Sequence, residues 1–125
     1  MINDILLYIG SAVITVWGIA HIVPTKNVVK GFETISDDNK RIITMEWVAE
    51  GLALCFIGLL VLFVTILGDS PNEVSLIVYR ASAAMLVVMA GWTALTGART
   101  SIIPIKICPF VKTIVAVLFI VGSIL

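Results

Sequence analysis

Polar residues are so unevenly spread along the chain that its apolar positions collect into four long blocks, at about residues 5–23, 42–67, 74–98 and 105–125. A helix rising about 1.5 Å per residue needs roughly 20 apolar residues to cross a hydrocarbon layer about 30 Å thick. Every block is close to that length or longer, and little chain is left between them. The pattern predicts an all-α, integral membrane four-helix bundle with antiparallel up-down spans, forming one domain over residues 1–125. The opening MINDILLYIG has no basic leader region and no small-residue cleavage site follows, so the first block reads as a retained span.

The connections carry their own patterns. The first, TKNVVKGFETISDDNKR, places Val28, Val29, Phe32 and Ile35 at near-helical spacing beside lysines. That suits an amphipathic segment at about 26–40 lying at the membrane surface; a plain solvated loop is the open alternative. Ser36 or Asp37 is placed to cap the second span. In the second connection Gly68 ends one helix and Asp69-Ser70-Pro71 opens the next, a tight turn that should make the second and third spans antiparallel neighbours. Pro104 and Pro109 bracket the start of the fourth span and predict a kink or a late helix start.

Composition agrees with the pattern. The chain is 60% hydrophobic and 13% charged, with a mean hydropathy of +1.14, against about 25% charged residues in soluble domains. The lipid bilayer is therefore the first partner. A net charge of zero and no basic stripe exclude nucleic acid. Lys26, Lys30, Lys40 and Arg41 lie in the first connection, Arg99 and Lys106 in the third, and no basic residue in the second. The positive-inside rule then places a multi-pass protein in the cell membrane with both termini on the non-cytoplasmic side. Cys55 and Cys108 form no C-x-x-C pair and fall at different depths, which reads as packing rather than a disulfide.

The chemistry lies where ionisable groups enter the spans. A charge at mid-bilayer costs about 2.5–3.5 kcal/mol on the insertion scale, so such groups face the protein interior or water. Glu46 and Glu50 lie roughly 7 and 13 Å past Arg41 along a helix and about 40° apart around it. The sole histidine, His21, ends the first span one turn after Trp17. Because the first two spans run antiparallel from one connection, His21 should meet Glu46 or Glu50 in the cytoplasmic half, with Trp92 and Thr93 of the third span nearby. Lys112 reads as a side chain that snorkels to the cytoplasmic interface, as Arg80 does to the other face. Tyr8, Trp47 and Trp92 fit interfacial aromatic belts. Small-residue stripes Ser11-Thr15-Gly18, Gly51-Cys55-Gly58 and Ala83-Ala90-Ala94-Gly97 predict close helix packing.

Trp17, His21, Glu46, Glu50, Trp92 and Thr93 are thus the candidate ligand-binding residues, and no catalytic or metal residues are assigned. For the glutamates a structural role, capping or pairing helices, competes with a site. One histidine cannot supply the paired Glu-x-x-His motifs of bundle di-metal centres, and the cofactor stays unknown.

Three quoted stretches carry a resemblance: GIAHIVPTKNVVKGF at the end of the first span, EWVAEGLALCFIGLLV opening the second, and the alanine-rich ASAAMLVVMAGWTAL in the third. In layout the chain resembles the DoxX-like family of small four-span membrane proteins. The resemblance implies a four-helix bundle with a quinone-like ligand or a redox partner subunit. His21 departs from it, since relatives carry a lysine after the first-span glycine.

The function expected is a small accessory or ligand-binding membrane protein with an intramembrane polar pocket near the cytoplasmic side, holding a lipophilic molecule such as a quinone or a partner subunit, with homo-oligomerisation open. The alternative is a proton-coupled small-molecule transporter using Glu50. An enzyme with His21 and Glu50 as acid and base is disfavoured, because the chain has no nucleophile motif, metal set or nucleotide loop.

Overall fold

The computed structural model describes residues 2–68 and 72–125. Helix α1 spans Ile2–Ile22, the short α2 Thr25–Lys30, α3 Asp37–Leu67, α4 Glu73–Leu95 and α5 Ile103–Ile124, with a single 3-10 turn at Gly97–Arg99. There is no strand among the described residues, and α1, α3, α4 and α5 are each long and apolar enough to cross a membrane. The chain is an integral membrane four-helix bundle.

Local chemistry sets the ends. Ser36 caps α3, its hydroxyl accepting from the Asn39 N–H at 3.2 Å, so α3 starts five residues before the apolar block because its first turns are polar. The expected amphipathic segment is helical only over α2, after which the backbone turns through Gly31. Asp69, Ser70 and Pro71 lie outside the described residues. The cap of α4 is Asn72, which forms a reciprocal capping box with Ser75 through two bonds of 2.9 Å. Helix α5 begins early, with Pro104 in its first turn where no N–H is needed, and continues through Pro109.

The packing order is α3, α1, α5, α4: α1 lies against α3 and α5, and α4 mainly against α5. Helices α3 and α4, expected as close neighbours from their tight connection, meet only sparsely. A short connection fixes their antiparallel sense without requiring their faces to match, and their small residues are committed elsewhere. A β-carbon on Gly18 would sit 2.6 Å from the Cys55 sulfur and 2.7 Å from the Gly51 carbonyl oxygen; one on Gly58 would collide with the Thr15 hydroxyl and lie 2.8 Å from the Ser11 carbonyl oxygen. The first two predicted stripes therefore face each other and let the α1 and α3 backbones approach closely. Gly10 admits the Phe119 ring from α5 in the same way, since a β-carbon there would lie 2.7 Å from it.

Between the ends, Ile14, Leu54, Val61, Leu86, Val115 and Phe119 are sealed from the surface and form one apolar core. The outer surface is apolar as well: Val16, Phe56, Val88 and Phe110 are each 64–69% exposed. A water-soluble bundle would not expose such a belt, whereas lipid chains solvate it. Helix α5 is the central element, with 44% of its spanning window buried against 28–33% for the other three.

Candidate functional site

Ser82, Ser11 and Lys112 are among the few polar side chains buried within the spans, and Lys112 alone of them is cationic. It does not reach the interface, contrary to the snorkelling expected from its position near one end. Its exposure is 0% because α5 starts at Ile103 and Lys112 lies on the face that also carries Cys108, Val115 and Phe119. From there the ammonium donates to Glu50 Oε1 of α3 and, at 2.8 Å, to the Thr93 hydroxyl of α4. The Thr93 hydroxyl passes its own proton to the Met89 carbonyl at 2.8 Å, so it acts toward Lys112 as an acceptor. One side chain thus ties together α3, α4 and α5, and it does so across the sparsely packed α3–α4 side.

Glu50 also faces α1. Its Oε2 lies 3.6 Å from His21 Nε2, too far for a hydrogen bond, and that buried nitrogen has no hydrogen-bond partner. The Glu50 side chain is 33% exposed and that of His21 11%, so the carboxylate lies nearer the surface of the bundle than the imidazole. The imidazole is held in place by Trp47, whose indole stacks on it at 4.0 Å between ring centres with 14° between planes. The same indole N–H donates to the His21 carbonyl at 2.7 Å. Trp47, expected in the interfacial belt, is instead the clamp on His21. The i, i+3 relation of Trp47 to Glu50 on α3 was the available signal, since it puts both on the side that meets α1.

Trp17 points inward, donating through Nε1 to the Cys108 sulfur at 3.3 Å, one turn from His21 on α1 and one turn from Lys112 on α5. Cys55 and Cys108 are both free thiols. The structure therefore brings His21, Glu50 and Thr93 together around Lys112, with Trp17 adjacent. It does not bring in Glu46, which is exposed one turn earlier on α3. Nor does it bring in Trp92, which is 69% exposed. Consecutive helical residues point about 100° apart, so the orientation that aims Thr93 at Lys112 turns Trp92 outward.

Chemically, the cluster is an internal ion pair with a spare half. Glu50 Oε1 and the Lys112 ammonium satisfy each other, whereas Glu50 Oε2 faces a His21 Nε2 that lies 3.6 Å away and makes no hydrogen bond. No family model, curated protein or solved structure matches the chain, so what the sequence and structure together establish is a four-span membrane protein with an internal charged cluster, and the DoxX-like resemblance is left without a matching family.

Proposed function

We propose that the chain is a small accessory membrane protein that binds the polar head of a lipophilic molecule at the Glu50–His21 gap. The carrying observation is the unpartnered His21 Nε2, buried, held by Trp47 and 3.6 Å from a carboxylate oxygen that is itself free of Lys112. Leaving a buried polar nitrogen unsatisfied costs about 1–3 kcal/mol, which a guest carbonyl or hydroxyl would recover. A quinone-class guest fits this chemistry, its carbonyl accepting from an imidazole N–H while its ring lies against apolar walls. The DoxX-like layout supports the same class of guest, and a polar group of a partner subunit is the macromolecular counterpart. By the basic-residue pattern this end of the bundle faces the cytoplasm.

The competing transporter reading draws on Glu50 standing between two nitrogens, bonded to the Lys112 ammonium and 3.6 Å from His21 Nε2. Against it stand the sealed apolar residues between Glu50 and the far end, among them Leu54, Val61 and Phe119 at 0% exposure.

The test compares wild type with His21→Phe, which keeps a ring for Trp47 to stack on and removes the nitrogen. Both are purified in mild detergent, co-purifying small molecules are identified by mass spectrometry, and the same proteins are reconstituted to measure proton-linked flux. Binding at the gap predicts a lipophilic molecule in the wild type, its loss from His21→Phe, and no flux. Flux that Glu50→Gln abolishes would reverse the choice of reading.

A further inference from the structure

Every acidic residue of the chain lies at or before Glu73, so α4 beyond its first residue, the 3-10 turn and α5 carry cations alone: Arg80, Arg99, Lys106 and Lys112. Lys112 is matched by Glu50 inside the bundle, and Arg80 belongs to the opposite end of α4. Arg99 and Lys106 remain, where the chain passes from α4 to α5. Packing brings them to one place. The 3-10 turn lies against both α4 and α5, and a β-carbon on Gly97 would sit 2.9 Å from the Ile105 side chain. Arg99, two residues after Gly97, and Lys106, next to Ile105, therefore flank the same contact. Both are exposed, and among the described residues neither pairs with a carboxylate.

The first connection, at the same end of the bundle, is built differently. There Lys26, Lys30, Lys40 and Arg41 are interspersed with Glu33, Asp37, Asp38 and Glu46, so its charges offset one another. Arg99 and Lys106 have no counter-charge on their own half of the bundle, and the anion they lack must come from outside the chain. The flanking residues indicate its source: Trp92, Leu95, Ile102 and Ile103 are all exposed and apolar, at the ends of spans whose outer surface is solvated by lipid. An exposed indole suits the headgroup level of a bilayer, which is also where lipid phosphates lie. A guanidinium can take two phosphate oxygens at once, and an ammonium adds a point charge. A free anion would answer the cations and leave the apolar rim uncovered; a lipid with an anionic head answers both.

We propose that Arg99 and Lys106 form a headgroup site for an anionic phospholipid, with the phosphate held by the two cations and the acyl chains lying along Trp92, Leu95, Ile102 and Ile103. The site does not depend on the reading given to the Glu50–His21 gap.

The experiment counts and titrates bound lipid by native mass spectrometry of the full chain released from an uncharged detergent. The probes are dioleoylphosphatidylglycerol and dioleoylphosphatidylcholine, which share their tails and differ in net charge, with glycerol 1-phosphate as a free headgroup competitor. The same series is run on Arg99→Gln, Lys106→Gln, the double variant of these, and Lys26→Gln/Lys30→Gln, which removes as many charges from the first connection. All four positions are exposed, and circular dichroism checks that each variant keeps its helices. The expected result is tighter binding of phosphatidylglycerol than of phosphatidylcholine, weakened about fivefold by either single substitution and at least tenfold by both, with less than about a twofold change in Lys26→Gln/Lys30→Gln. Equal affinity for the two lipids would overturn the proposal, as would equal weakening by the first-connection variant, which would mean a general field and no site. Displacement of the lipid by glycerol 1-phosphate would overturn it too, by assigning the pair to a free phosphate.

Discussion

Replacing Glu50 by Gln and Lys112 by Met should have very different consequences, although the two residues form one pair. Glu50→Gln preserves shape but leaves the Lys112 ammonium, at 0% exposure, beside the Thr93 hydroxyl and a neutral amide in place of a carboxylate. Breaking a buried pair from one side costs about 3–5 kcal/mol. The amide oxygen still accepts a hydrogen bond, which puts the expected cost near the lower end, at about 3 kcal/mol. Lys112→Met removes the charge that has no access to solvent and fills the space with an unbranched apolar chain. The carboxylate left behind is 33% exposed and can be hydrated, so the expected cost is about 1 kcal/mol or less. The double variant should lie close to Lys112→Met, giving a coupling of about 2 kcal/mol or more. Reversible unfolding in mixed micelles, followed by far-UV circular dichroism as the denaturing detergent fraction rises, gives all three values. Equal costs for the two single variants, or simple additivity in the double, would refute the claim that Lys112 is an interior cation dependent on Glu50.

Three further outcomes follow from the packing and the topology. Gly58→Ala puts a β-carbon on the Thr15 hydroxyl and 2.8 Å from the Ser11 carbonyl oxygen, and should cost about 1–3 kcal/mol by forcing α1 from α3, whereas Gly91→Ala, with no neighbour within 4 Å, should be neutral or gain up to about 1 kcal/mol; the same unfolding assay compares them. Trp47→Phe retains a ring over His21 but loses the 2.7 Å bond to its carbonyl, and should destabilise by about 1 kcal/mol, with Trp47→Leu costing more because the stack goes too. In a cysteine-free background, a cysteine at Asp38 should react with a membrane-impermeant maleimide only after the cytoplasmic side is opened, and labelling of intact cells would reverse the orientation drawn from the basic residues.

The spans were legible because block length and the absence of charge are decisive in a bilayer, and the α1–α3 crossing because small residues recur on one face of each helix. The approach of His21 to Glu50 followed from two antiparallel spans leaving one connection. Lys112 was misread from its distance to a helix end alone, a measure that depends on where α5 begins. The informative signal was angular: Cys108, Lys112, Val115 and Phe119 fall on one stripe, which placed the lysine on the buried face. Glu46 was grouped with Glu50 because four residues bring a helix back to nearly the same side, yet one turn is enough to leave it exposed. The sparse α3–α4 contact had no sequence signal, because loop length constrains direction and not which faces meet.

Binding at the Glu50–His21 gap is tested most directly by titrating wild type and the Glu50→Gln/Lys112→Met double variant with a short-tailed ubiquinone analogue in detergent, read by quenching of tryptophan fluorescence. The double variant removes both charges of the cluster while keeping the fold, and Trp47, stacked on His21, reports occupancy of the gap. Saturable quenching in the wild type, weakened at least tenfold in the double variant and in His21→Phe, is the predicted result. Identical quenching in all three proteins would contradict it and leave Glu50, Lys112 and His21 as the braces that hold α1, α3, α4 and α5 in register.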